Sequence, residues 1–248
     1  MSTLRSSKVI VIGGSSGVGR ATVLALLERG AEVVAVGRNP ARLEALRAEA
    51  PRPLAIRALD ATDRAAVDRL FAETAPDHVV VAAGTHAPMA LLDEQTWEGF
   101  SRPWNEDVKM AFEVGQAAFR QVQPEGCHVL FVSSGAGLLG SPLSGGYAGS
   151  KRTQMFMTGY FQRAAKERKK KLRFTAIVPK QLIADTQTGH EVSLTYARLA
   201  GITQAKFMER FEVPLLARGV ADAIVRALEG EFAEGALVAV TGKGTELL

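Results

Sequence analysis

Residues 9–20 read VIVIGGSSGVGR, an apolar run that breaks into four glycines and two serines, and the helical pattern GRATVLALLERG follows at 19–30. A short apolar run ending in glycine predicts a buried strand, and apolar residues at three- and four-residue spacing predict a helix. The same alternation continues through almost the whole chain. KVIVI (8–12), EVVAV (32–36), LAIRAL (54–59), DHVVVAA (77–83), CHVLFVSS (127–134), LRFTAIV (172–178) and ALVAV (236–240) read as seven strands. Between them PARLEALRAEA (40–50), DRAAVDRLFAET (63–74) and KMAFEVGQAAFRQV (109–122) carry helical spacing. Such alternation implies βαβ units, and strands that are apolar at nearly every position imply burial on both faces.

The 248 residues are 47% hydrophobic, enough for one large core. No apolar run approaches the roughly 18 residues of a membrane helix, and 9–12 is shorter than the about 7 to 15 residues of a signal-peptide core. A soluble, cytoplasmic protein without a membrane partner is expected. The one cysteine, Cys127, permits no internal disulfide and no cysteine-based zinc site, so no metal is expected and Cys127 reads as a small buried residue. Much of the cationic excess behind the net charge of +4 lies in KERKKKLR, 166–173. No aromatic residue interleaves these cations, so they read as a solvated helix end rather than a nucleic-acid patch.

Strand, glycine loop and helix together make a phosphate site, because free N–H groups at a helix start favour an anion and glycine lets the backbone approach it. Gly13, Gly17 and Gly19, with Val18 between the last two, supply the backbone; Ser15 and Ser16 add hydroxyl donors. The alternative is a turn whose glycines serve packing only. The expected fold is therefore a single Rossmann-type α/β domain over 1–248, a doubly wound, seven-stranded, mostly parallel sheet with helices on both faces. Residues of about 183–214 interrupt the alternation and read as a substrate lid or a surface excursion. The second strand ends in Arg38, which suits a ribose 2′-phosphate where a carboxylate would suit a free 2′-hydroxyl, so NADP(H) is favoured over NAD(H). Asp60, next to Ala61, either accepts from the adenine amino group or caps the helix that begins near Arg64.

Downstream stands VSSGAGLLGSPLSGGYAGSK, 132–151. With GGSSGVG (13–19) it resembles the short-chain dehydrogenase/reductase superfamily, which pairs a Gly-x-x-x-Gly-x-Gly loop with Tyr-x-x-x-Lys and a serine thirteen residues before the tyrosine. The resemblance runs from Lys8 to about Pro179. It implies an oxidoreductase that interconverts a carbonyl and an alcohol on a small molecule, with Ser134, Tyr147 and Lys151 as the catalytic set and Lys151 also on the nicotinamide ribose. The chemistry agrees with those roles. Tyr147 and Lys151 share a helix face. Bringing a tyrosine from about pKa 10 to about 7 takes roughly 4 kcal/mol of phenolate stabilisation, which an adjacent ammonium helps to supply. Ser134, at a strand end, would hydrogen-bond the developing oxyanion.

Three departures from the family pattern stand out. VAAG (81–84) replaces Asn-Asn-Ala-Gly, which leaves Ala83 and Gly84 as backbone contacts to the cofactor. The family's helix asparagine falls on Asp107 or, two residues earlier, on Asn105. Pro179 is followed by Lys180 in place of glycine, and Thr186 lies further from the proline than the threonine that reaches the carboxamide. Met89, Leu91, Leu92, Leu194, Tyr196 and Phe207 are candidates for an apolar substrate pocket, while His86 and His190 read as surface residues. The family commonly pairs its two long helices, here around 108–122 and 147–165, so Met155, Phe156, Met157, Tyr160 and Phe161 point to a homodimer or homotetramer. A catalytically weak, NADPH-binding regulator on the same fold is the competing function.

Overall fold

The computed structural model of the chain describes residues 4–85, 89–121 and 124–248. Its first half runs β1 (Lys8–Ile12), α1 (Gly17–Glu28), β2 (Glu32–Gly37), α2 (Pro40–Glu49), β3 (Ala55–Ala58), α3 (Arg64–Thr74) and β4 (His78–Val81). After a 3-10 turn at Leu92–Glu94 come α4 (Trp97–Pro103), a π-helical turn (Trp104–Val108), α5 (Lys109–Gln121), β5 (Cys127–Val132), α6 (Ala136–Leu139) and α7 (Gly145–Glu167). The chain closes with β6 (Leu172–Pro179), α8 (Gln187–Leu199), α9 (Gln204–Met208), α10 (Ala217–Leu228), β7 (Leu237–Thr241) and β8 (Gly244–Leu247).

All strands belong to one sheet in the order β3-β2-β1-β4-β5-β6-β7-β8. The sheet is parallel up to β7, and β8 pairs with β7 antiparallel. The expected seven-stranded sheet is thus corrected to eight. GTEL is short and lies at the sheet edge with three of its four residues exposed, so it carries no alternation of apolar side chains.

Side chains alternate across a strand, so an apolar strand feeds two layers. Val9 and Val11 pack with Leu26 and Leu27 of α1 and Ile224 and Val225 of α10. Ile10 and Ile12 belong to the opposite layer, with Phe71 of α3, Val114 of α5 and Phe161 of α7. Phe131, Phe161 and Phe174 pack together within the second layer at centroid distances of 5.2–6.4 Å. Burying such side chains stabilises the fold by roughly 1.5–3 kcal/mol each, which explains how α7 is held against the sheet. Met155, Met157 and Phe161 are therefore core residues, contrary to the reading of them as contacts between subunits; Phe156 and Tyr160 are the exposed pair.

Helix starts are set by local chemistry. Asn39 accepts from Arg42 N ahead of Pro40, the first residue of α2. Asp63 accepts from Ala65 N and Ala66 N to cap α3. The capping role considered for Asp60 accordingly belongs to Asp63. Cys127 is buried, and burial pushes its thiol up to about 12, so it stays un-ionised. Lys166–Lys171 form an exposed helix end, and His190 is exposed; His86 lies outside the described residues. Among the described residues, no helix is long and apolar enough to cross a membrane, and no group of three or more His, Cys, Asp or Glu is placed to hold a metal.

Candidate functional site

The strand order reverses between β1 and β4, and in open α/β sheets a ligand crevice opens beyond the carboxyl ends of the strands at that point. A cleft of ≈ 1380 Å³ lies there, reached by Gly13, Arg38, Asp60, Ser134, Tyr147 and Lys151.

The glycines of the first turn divide by role. Gly13 has φ +84°, and a Cβ on it would lie 2.5 Å from Ala83 N. A Cβ on Gly19 would collide with the Gly13 carbonyl oxygen. These two serve packing: one lets the loop lie on the end of β4, and the other lets α1 start against the loop. Gly17 differs. Its φ is +50°, and among the described residues the only heavy atom near a Cβ there is Thr186 Cγ2 at 3.6 Å, so its bare face opens into the cleft. The first N–H groups of α1, including that of Val18, have no intrahelical partners, and Ser16, the N-cap, makes no side-chain capping bond to them. Ser15 Oγ stands 3.2 Å from where a Gly37 Cβ would be, over the end of β2.

Arg38 is two-thirds exposed, with Nη1 3.5 Å from Glu106 Oε2. Asp60 and the buried Ala61 line the cleft beside it. The Thr62 N–H and hydroxyl both donate to Asp60 Oδ1, at 2.8 and 2.9 Å. The Thr62 N–H is the main cause that holds this carboxyl below its ordinary range, against the opposing effect of burial.

The other end of the cleft is built on β4, β5 and α7. Ser134 follows β5, and its Oγ accepts from Ala136 N at 3.2 Å. Ser133, one residue earlier, donates to Lys151 O at 2.8 Å and ties the strand end to α7. A Cβ on Gly146 would collide with the Phe100 carbonyl oxygen, so α4 packs directly on the start of α7 that carries Tyr147. Lys151 Nζ lies 5.5 Å from the Tyr147 ring centroid.

Lys151 is also ion-paired inside the protein. Its Nζ is 3.2 Å from Asp107 Oδ2, with side-chain exposures of 4% and 0%, and it donates to Gln154 Oε1 at 3.2 Å. Burial lowers the lysine's pKa, but the Asp107 carboxylate and Tyr147 more than reverse this and leave it above its ordinary value. Asn105 is exposed, so Asp107 is the one of the two that faces the lysine. The π-helical turn that brings it inward is closed by Gln154 Nε2 donating to Asp107 O at 3.3 Å. Thr85 fixes the carboxylate from the other side, with its N–H and Oγ1 each 2.7 Å from Asp107 Oδ1. Ser133, Thr85, Gln154 and Glu106 were not named from the sequence; Ser133, Thr85 and Glu106 each adjoin a candidate site residue that was, Ser134, Gly84 and Asp107, whereas Gln154 adjoins none.

Pro179 O accepts from Gly135 N at 2.7 Å. Lys180, where glycine is usual, turns away to Glu246 of β8 at 2.7 Å. The Thr186 hydroxyl caps α8, accepting from Gly189 N and donating to Ile183 O, while its methyl lies over Gly17. Of the apolar pocket candidates, Met89, Tyr196 and Phe207 line the cleft. Leu91 and Leu92 are exposed, and Leu194 is half-buried outside the lining, which corrects that part of the expectation. Tyr196 stacks on Phe207 at 5.8 Å and hydrogen-bonds Ser141 Oγ, which fastens α8 to the loop before α7.

A doubly wound sheet with a glycine turn at its reversal point and a Ser–Tyr–Lys cluster across the cleft defines an α/β protein built around a ligand at its strand ends. Over residues 7–196 the chain matches the short chain dehydrogenase family, and it belongs to that family. It is 33% identical to an L-xylulose reductase of Mesocricetus auratus over 120 residues, 47% of this chain and 48% of that protein. It is 30% identical to carbonyl reductase [NADPH] 2 of Sus scrofa over 155 residues, 61% of this chain and 62% of that protein. The chain thus spans about half to three fifths of the length of these relatives. In fold it is similar to the crystal structure of levodione reductase, with a TM-score of 0.82, 21% identity and coverage of 96% and 97% of the two chains.

Proposed function

We propose that the protein is an NADP(H)-dependent oxidoreductase that interconverts a carbonyl and an alcohol on a small molecule. The observation that carries this reading is one continuous cleft, with an uncapped helix start and the open Gly17 face at one end and Ser134, Tyr147 and Lys151 at the other. A dinucleotide fits: the open face of Gly17 and the N–H groups at the start of α1 would hold its pyrophosphate, Asp60 and Ala61 would face the adenine, and Ala83, Gly84, Pro179 and Thr186 would flank the nicotinamide half. Thr186 spends its hydroxyl on α8, so its reach toward the carboxamide requires that cap to loosen. A nicotinamide bound there supplies or accepts the hydride. Tyr147 then donates a proton to the carbonyl oxygen, or takes it from the alcohol. Ser134 Oγ donates to the same oxygen and stabilises its charge. Lys151, kept cationic by Asp107, favours the phenolate side of that transfer.

Residues of about 183–214, with α8 and α9, act as the lid over the substrate end, and the fold operates as one domain. The exposed Phe112, Phe156 and Tyr160 on α5 and α7 provide the face for a homodimer or homotetramer. One observation favours an NADPH-binding regulator: the Asp107 carboxylate offsets the charge that Lys151 presents to Tyr147.

Arg38 should select the phosphorylated cofactor through its guanidinium. Titration followed by nicotinamide fluorescence should give an NADPH affinity that Arg38→Ala weakens by about tenfold to a hundredfold, with NADH affected less than about twofold. Equal losses for both cofactors would remove the 2′-phosphate assignment, and no binding of either would return the glycines to a packing role.

A further inference from the structure

Glu106 sits on the π-helical turn beside Asp107, yet it faces the other half of the cleft. Its Oε1 accepts from Arg102 Nε at 2.9 Å, and its Oε2 accepts from Thr85 Oγ1 at 3.1 Å and stands 3.5 Å from Arg38 Nη1. Arg102 already pairs with the carboxylate, so the reach toward Arg38 adds a second cationic contact that the local fold does not need. Arg38 gains little from it: a single 3.5 Å contact on a side chain two-thirds exposed is a weak ion pair.

We propose that Glu106 sets the cofactor preference by occupying the guanidinium that a 2′-phosphate would use. The inference rests on the reading of Arg38 given above. A phosphate can engage a guanidinium through two parallel hydrogen bonds and so displaces a one-point carboxylate contact. Displacement leaves two like charges facing one guanidinium, and their repulsion lowers the affinity for the phosphorylated cofactor. A dinucleotide with a free 2′-hydroxyl needs no such exchange. The preference for NADP(H) is therefore smaller than Arg38 alone would give.

The same carboxylate is tied to the proton-transfer end. Thr85 Oγ1 has one hydrogen and two carboxylates within reach, Glu106 at 3.1 Å and Asp107 at 2.7 Å, so it donates to one at a time. Arg38, Glu106, Thr85, Asp107 and Lys151 thus form a polar row from one end of the cleft to the other, in which the Thr85 hydrogen joins one carboxylate or the other. Glu106 is a positioning residue, acting on the cofactor through Arg38.

The test is a double-mutant cycle on the full chain, with NADPH and NADH titrated into the parent, Glu106→Gln, Arg38→Ala and the double variant. Glutamine keeps the length and one carbonyl acceptor for Arg102, and Thr85 retains Asp107 Oδ1 as its acceptor. Glu106→Gln should tighten NADPH by about fivefold, leave NADH within about twofold, and have no effect on NADPH in the Arg38→Ala background. A Glu106→Gln variant that shifts both cofactors alike, or neither, overturns the inference while a NADPH-specific loss in Arg38→Ala keeps the 2′-phosphate reading intact. An Arg38→Ala variant that binds NADPH like the parent overturns that reading, and this inference with it.

Discussion

Tyr147→Phe is expected to keep NADPH affinity within about twofold of the parent and to lose turnover by a factor of about 10²–10⁴, the range that a positioned proton donor contributes. The substitution removes only the hydroxyl. The ring keeps its place beside Lys151 Nζ and on the start of α7, so neither the fold nor the glycine loop has reason to change. The measurement is steady-state reduction of a panel of ketones and 3-oxoacyl compounds with NADPH, alongside cofactor titration of both proteins. Equal turnover in parent and variant would sink the proton-transfer role. Intact NADPH binding with no turnover in the parent itself would favour the regulator.

Asp107→Asn should cost the folded protein about 3 kcal/mol at neutral pH, because it leaves a fully buried ammonium without its counter-charge. Asparagine is close to isosteric, so little of that loss comes from packing. The pH dependence gives the cause. In the parent, the lysine's pKa is raised in the folded state by Asp107 and Tyr147 against burial. Its contribution to stability is therefore complete below the unfolded lysine's value of about 10.4 and is lost as pH rises through the higher folded value. In the variant, burial acts without the carboxylate, and the lysine's pKa falls below the unfolded value. The variant accordingly regains stability as pH rises and the buried lysine loses its proton. Chemical denaturation between pH 7 and pH 10.5 should show the gap between parent and variant narrowing; a constant or widening gap would mean that the pair does not carry the effect.

Much of this site was legible in the sequence because its chemistry is local. The strand, glycine turn and helix of 8–28 are consecutive, and Tyr147 and Lys151 are one helical turn apart. What escaped depends on contacts between distant segments. Glu106 meets Arg38 across 68 positions, and no spacing rule reaches that far. Helical counting could not choose between Asn105 and Asp107, because the π-helical turn at 104–108 breaks the 3.6-residue period on which such counting depends. The apolar run at 155–161 offered five candidates for a subunit face, yet the sheet takes Met155, Met157 and Phe161 and leaves Phe156 and Tyr160 outside. β8 went unseen because an exposed edge strand of four residues has no buried face to impose a pattern.

The π-helical turn also constrains the number of residues in the chain. A π-helical turn holds one residue more than the α-helical turn that spans the same length, so removing one residue from Trp104–Val108 would restore an ordinary helical turn and leave α5 close to its present register. Val114 and Ala118 would keep their places in the layer beneath the sheet, but the bulge that turns Asp107 inward beside Glu106 would be gone, and the two neighbouring carboxylates would no longer serve opposite ends of the cleft. Single replacements within the turn alter one contact each. A deletion there would spare the core and undo the cleft, so the length of this segment matters to the site as much as its charges do.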